Sequence, residues 1–168
     1  AGLAPQEGPR RRLRVLEPVE VRDGARLARL EPAERFELDF EIDFAAEAIG
    51  RQRVALAPTP RAFRRELAAC RTFCLREEIE AMQAAGLARG GSLENAVVVD
   101  GARVLNPEGL RMADEFVRHK ALDAVGDLAL AGAPILGRYV GVRAGHEMTN
   151  RVLRALFARP TAWRLELG

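Results

Sequence analysis

His119, Asp123 and Asp127 recur at every fourth position of the stretch Arg118-His119-Lys120-Ala121-Leu122-Asp123-Ala124-Val125-Gly126-Asp127-Leu128. A helix of about 3.6 residues per turn stacks them along one face, with Val117, Ala121, Ala124, Val125 and Leu128 as an apolar stripe beside them. A neutral imidazole nitrogen and a carboxylate oxygen one turn apart can share a zinc ion, held by rigid backbone before the metal arrives. The same pair also makes an ordinary surface ion pair, so spacing alone leaves both readings open. Lys120 adds a cation suited to a phosphate or an oxyanion. The chain's other histidine, His146, follows Gly145 at the start of a second helical pattern.

The elements that must hold these groups are legible as patterns. Phe36-Glu37-Leu38-Asp39-Phe40-Glu41-Ile42-Asp43-Phe44 alternates strictly, which predicts a strand with apolar residues on one face and acids on the other. Arg51–Leu56 reads as its partner, and Val15 to Val21 as an earlier strand that turns at Asp23-Gly24 into Ala25–Leu30. Thr59-Pro60 reads as an N-cap followed by proline at the first helical position, opening a helix through Ala69. Cys70 and Cys74 then fall four apart in an expected helix, where two small packed residues are predicted rather than a disulfide or metal pair. Glu77–Ala85 reads as a short helix stopped by Gly86, and Glu94–Val99 as an apolar strand. Asn106-Pro107-Glu108-Gly109 is expected to open the long helix that carries His119. Pro134–Val142 and Trp163–Leu167 read as strands, and His146–Ala158 as a helix burying Met148, Val152, Leu153, Leu156 and Phe157. Mixed strands with two long helices predict an α+β fold, a two-layer sandwich of a mixed or antiparallel sheet with a small βαβ insert.

Composition narrows the class. At 168 residues with 48% hydrophobic and 30% charged residues, a globular domain with its own core is expected. The 26 basic and 24 acidic residues leave a net charge of +2, which argues against a general nucleic-acid binder. No apolar run is long enough to span a bilayer and Ala1-Gly2-Leu3-Ala4-Pro5 lacks a signal-peptide pattern, so a cytoplasmic location is expected. Residues 1–9, rich in Gly and Pro, read as an interdomain linker.

His119-Lys120-x-x-Asp123-x-x-Gly126-Asp127-Leu128, followed by Gly145-His146, resembles the LpxC family of zinc-dependent UDP-3-O-acyl-N-acetylglucosamine deacetylases of lipid A synthesis. Arg71-Thr72-Phe73, Gly90-Gly91-Ser92, Val97-Val98-Val99-Asp100, Gly109-Leu110-Arg111 and Asp114-Glu115-Phe116-Val117-Arg118 match in the family's order. The resemblance covers only the family's second domain, so residues 10–168 are expected to be that C-terminal domain, with an N-terminal domain missing.

The resemblance implies roles. His119 and Asp123 become two of three zinc ligands, His146 the group that steadies the oxyanion and protonates the leaving amine, and Asp127 the carboxylate that orients it. Thr72 supports the oxyanion, Lys120 meets substrate or acetate, and Phe73 lies along the substrate beside Gly145. Asp43, Phe44 and Arg143 would meet the nucleotide end. An insert at about 74–100 would form an acyl-chain tunnel with Leu75, Ile79, Ala88, Ser92, Leu93, Ala96 and Val98. Against the family, Ala45-Ala46-Glu47 replaces a frequent His-Pro, and the third zinc ligand and general base have no counterpart here. The chain alone is therefore expected to be inactive, completed by the missing domain in the same or a separate chain. The alternative is a non-catalytic module that binds RNA or a partner protein on the same sandwich, with Arg10–Arg14 as its basic edge.

Overall fold

The computed structural model describes residues 2, 4, 8–86, 90 and 92–167, without the side chains of Glu80, Met82 and Gln83. Ala88 of the expected tunnel and residues 1, 3 and 5–7 of the expected linker thus lie outside the described residues. Strands β1 (Arg11–Val15), β2 (Val19–Asp23), β3 (Arg26–Glu31), β4 (Phe36–Asp43) and β5 (Arg51–Leu56) come first, followed by helix α1 (Pro60–Glu66). Next come β6 (Thr72–Leu75), α2 (Arg76–Ala84), β7 (Ala96–Asp100) and β8 (Arg103–Val104). Helix α3 (Glu115–Leu128), β9 (Ile135–Val142), α4 (His146–Phe157) and β10 (Trp163–Leu167) complete the chain.

The architecture is the expected α+β sandwich. β9 is the hub of a seven-stranded mixed sheet. It pairs in parallel with β4 on one side. On the other it pairs first with β1 and then, antiparallel, with β3. Hub position demands close approach: a Cβ on Gly141 would lie 2.6 Å from the Phe40 ring, and one on Gly137 2.7 Å from Val15 Cγ2. Glycine there lets Phe40 stack on Tyr139 at 6.2 Å between ring centroids.

One face of the sheet is covered by helices. α3 lies across β4 and β5, α4 across β2 and β3, and the two helices touch. Val117, Ala121, Ala124 and Leu128 from α3 and Met148, Val152 and Leu156 from α4 are buried at helical spacing against Leu30, Leu38 and Phe40. The opposite face is a lattice of ion pairs. Asp39, only 4% exposed, is gripped by Arg53 at 2.7 Å and Arg138 at 2.6 Å, with Arg51–Glu41 and Arg14–Glu166 flanking it.

A second, three-stranded sheet, β6-β7-β8, stands apart from the first. β6 and β7 run parallel with α2 between them, which is the βαβ unit expected near residues 74–100. Among the described residues no helix is long and apolar enough to cross a membrane.

Several local expectations need correction. The run from Val15 to Val21 is two strands, because Pro18 lacks the N–H a continuous ladder requires. α1 ends at Glu66 rather than Ala69, so Cys70 lies in a turn and Cys74 in β6, not together on a helix. Arg71-Thr72-Phe73 therefore leads into a strand instead of ending a helix. Asn106-Pro107-Glu108-Gly109 opens no helix either: Gly109 sits at φ +68° and the long helix begins only at Glu115. Asn106 is instead buried, accepting from Val98 N–H and donating to the Leu93 and Ala96 carbonyls. Phe157 is 39% exposed, its ring set edge-on to Trp163 rather than in the core.

Candidate functional site

α3 presents its polar face to a cleft of about 260 Å³. His119, Lys120 and Asp123 form its floor, and Thr72, Phe73 and Leu75 of β6 its wall. Phe44 after β4, Glu78 of α2 and His146 at the start of α4 close the rim. Residues far apart in sequence thus meet because the end of β4 and the start of α4 fall beside the middle of α3, with β6 along the other side. A larger groove of about 600 Å³, lined by Phe36, Val125, Leu128 and Ile135, carries no titratable side chain except Arg10. Size does not mark the chemistry here.

Asp123 is the meeting point of the charges. One carboxylate oxygen lies 3.4 Å from His119 Nε2, and the other accepts from Lys120 Nζ at 2.6 Å and stands 3.9 Å from His146 Nε2. Asp127, one turn further, accepts from His146 Nδ1 with both oxygens, at 2.9 and 3.0 Å. The His–Asp contact leaves Nε2 of a 63% exposed imidazole directed at the cleft. Gly145 caps α4 with its carbonyl, which accepts from the Thr149 amide and hydroxyl, and the hydroxyl also meets Tyr139. This ties the turn that carries His146 to the sheet hub.

The donor set suits zinc in part. Burial holds the His119 imidazole below its ordinary value, which favours the neutral form a metal needs; Asp123 works in the opposite direction. Nε2 shares the cleft with a carboxylate oxygen, while Nδ1 is buried without a hydrogen-bond partner. The Cys70 carbonyl lies beside the ring and favours its charged form. His119 and Asp123 are two candidate donors side by side, and among the described residues no group of three or more His, Cys, Asp or Glu side chains is set to hold a metal ion. Cys70 contributes nothing, because burial pushes its thiol up to about 11.

Phe73 is the aromatic centre. Its ring meets Phe44 at 5.4 Å, Phe116 at 5.0 Å and His119 at 6.1 Å, each edge to face. Asp43 and Arg143 form an ion pair at one end of the sheet, and Arg143 holds φ +47° while its N–H donates to the Glu41 carbonyl. A non-glycine residue in the left-handed region is strained by about 1 kcal/mol or more, sustained here by the hydrogen bond and ion pair. The expected tunnel residues are only partly gathered. Leu75 lines the cleft, Ala96 and Val98 are buried in β7, and Ile79 is half-buried on α2. Ser92 caps a turn through Glu94 N–H, and Leu93 is 42% exposed. Glu78 is the cleft residue that sequence reasoning missed. Its capping position, accepting from Leu75 N–H at the entry to α2, was the available signal.

A buried ion pair underlies the wall. Glu115 accepts from Arg71 Nε, from the Arg71 and Arg111 backbone amides and from Arg71 Nη2. Burial alone would raise the Glu115 carboxyl, but these donors outweigh it and hold the group below the usual carboxylate range. Asp39 is likewise lowered, first by its hydrogen bond to Arg53. Both groups bind protons less readily folded than unfolded. Their stabilisation is therefore complete above the ordinary carboxylate range, about pH 4, and is lost as pH falls through their folded values. Urea midpoints followed by circular dichroism are expected to be flat from pH 6 to 5 and to drop steeply below about pH 4. Asp39→Asn should flatten that drop.

An α+β sandwich whose helix supplies an imidazole and a carboxylate to a polar cleft, with a second His–Asp couple at the rim, gathers groups able to hold a cation and to move a proton in one place. The family described as "LpxC: UDP-3-O-acyl N-acetylglycosamine deacetylase" matches over residues 1–158, and the chain belongs to it. It is 60% identical over 165 residues to the UDP-3-O-acyl-N-acetylglucosamine deacetylase of Phenylobacterium zucineum (strain HLK1), covering 98% of this chain and 56% of that protein. The proteins of that name from Anaeromyxobacter sp. (strain Fw109-5) and Anaeromyxobacter dehalogenans (strain 2CP-C) are each 52% identical over 165 residues, with 54% of each covered. The chain spans about half the length of these relatives.

Proposed function

We infer that this chain supplies half the active site of a zinc-dependent hydrolase that deacetylates UDP-3-O-acyl-N-acetylglucosamine in lipid A synthesis. The observation that carries the reading is the convergence of His119, Asp123, Lys120, Thr72 and the Asp127–His146 couple on one cleft. His119 and Asp123 would hold the zinc, with the third ligand and the general base supplied by the rest of the protein, for which the relatives' extra length leaves room. Bound zinc supplies Lewis acidity, which activates water and polarises the acetamide carbonyl.

The chain's own residues do the rest. The Thr72 hydroxyl donates to the oxyanion that forms when water adds to the amide carbon. His146, oriented by Asp127 through Nδ1, delivers a proton from Nε2 to the departing nitrogen, so the amide and water become a free amine and acetate. Lys120 holds the oxygen-rich product side. At the far end, Phe44 offers a ring for stacking on uracil, Asp43 its hydrogen bonds, and Arg143 meets the phosphates with a flat fork rather than a point charge. The acyl chain runs past Phe73 and Leu75 toward α2 and β7. The RNA-binding alternative has less support, since Arg14 of its basic edge is paired with Glu166 and RNA binding gives no use to the gathering of His119, Asp123, Asp127 and His146.

The test is acetate release from UDP-3-O-acyl-N-acetylglucosamine by the intact gene product, with and without a zinc chelator. Zinc-dependent release is expected from the intact product and none from this chain alone. Release by the 168-residue chain at the intact rate would overturn the half-site.

A further inference from the structure

The cleft is built from parts that do not share a sheet. Thr72 and Phe73 stand on β6 of the small three-stranded sheet, while His119 stands on α3, which packs on the seven-stranded one. β6 is only four residues long and its ladder runs to β7, so no backbone pairing fixes it against α3. Phe73 packs edge-on to Phe116 and His119, but edge-to-face ring contacts tolerate sliding. Other polar contacts of α3 and its preceding loop reach Glu66 and Ala69 at the α1 end, Gln52 of β5 and, through Leu105 and Asn106, Val98 and Ala96 of β7 and Leu93 before it, but not β6.

Arg71 and Glu115 bridge the gap. Their side chains are 3% and 0% exposed. Arg71 Nε and Nη2 meet the two Glu115 oxygens at 3.0 and 3.1 Å, and the Arg71 amide adds a third bond at 2.9 Å. Nη2 also donates to the Gly109 carbonyl at 2.7 Å, and Nη1 to Glu108 at 2.6 Å. A two-point arginine–carboxylate contact fixes angle as well as distance. A buried ion pair is a weak source of stability, because desolvation offsets its attraction; what it does fix is geometry. Thr72 is the residue after Arg71, and His119 lies one turn beyond Glu115.

We propose that the Arg71–Glu115 pair is a positioning clamp that sets the Thr72 hydroxyl and the His119 ring against each other across the cleft. What that alignment serves rests on the deacetylase reading above; the alignment itself does not. Neither residue lines the cleft, so both act through the neighbours they hold.

Two variants of the intact gene product test the clamp. Glu115→Gln keeps an acceptor for the backbone amides and loses the charge. The double variant Arg71→Met/Glu115→Leu removes both charges together, leaves no buried ion unpaired and is expected to remain folded. Histidine ring and Thr72 amide resonances are compared in 15N-labelled protein, with kcat and KM measured on the same samples. The expected result is displaced His119 and Thr72 signals with His146 signals unmoved, and kcat about 100-fold lower with KM within about twofold. A folded variant with parental His119 and Thr72 signals and parental kcat, whatever its melting temperature, overturns the clamp. If the parent itself releases no acetate, the deacetylase reading fails while the resonance comparison still decides the clamp.

Discussion

Replacing His146 by alanine in the intact gene product is expected to lower kcat by about 10²–10⁴-fold, the usual range for a positioned proton donor, with little change in KM. The geometry behind this is specific. His146 is 63% exposed, so its removal leaves no cavity, and thermal stability should stay near the parent value. Asp127→Asn should act through the same histidine. The amide's NH2 group cannot accept from Nδ1 as the second carboxylate oxygen does, so the ring loses a fixed orientation. Because the two residues form one unit, the double variant should be hardly slower than the single His146→Ala change. Kinetic effects that simply multiplied would show that Asp127 has a separate task.

The second large effect concerns the floor of the cleft. His119→Ala and Asp123→Asn are each expected to bring activity to background and to strip zinc from the intact product, as read by metal analysis after dialysis. The loss in zinc affinity should exceed the ~10–100-fold typical of removing a group that merely supports a ligand. Asp123→Asn carries a further consequence, since the same carboxylate also pairs with Lys120 and faces His146. Full zinc retention in either variant would place the metal elsewhere.

The placement of the polar residues was more legible in the sequence than parts of the scaffold. His119, Asp123 and Asp127 share a face because helix geometry alone dictates it, and no tertiary contact can move them off that face. β4 and α4 were equally plain, since one apolar face against one polar face imposes a period of two or of about 3.6. The segments misjudged were those ruled by distant partners. Cys70 to Phe73 has helical neighbours, but pairing with β7 and the buried Glu115 carboxylate pull it into a turn and strand. Asn106 to Gly109 has the composition of a helix start, yet Asn106 is committed to Val98, Leu93 and Ala96. The acids of β4 were expected on an outward face; that Asp39 is almost covered followed from arginines on β5 and β9, which local pattern does not register.

The hub strand has a bearing on how the chain acquires its fold. β9 begins at Ile135, after all three strands it joins, β1, β3 and β4, have already been made. Emerging from the ribosome, β1, β3 and β4 therefore have no partner on their inner edges, and the Leu13–Ile135 and Phe36–Gly137 pairings close loops of more than a hundred residues. Such a nascent chain carries open strand edges until β9 emerges and forms its sheet late and all together. That order favours slow, cooperative folding and makes truncation before residue 135 a route to aggregation rather than to a smaller domain.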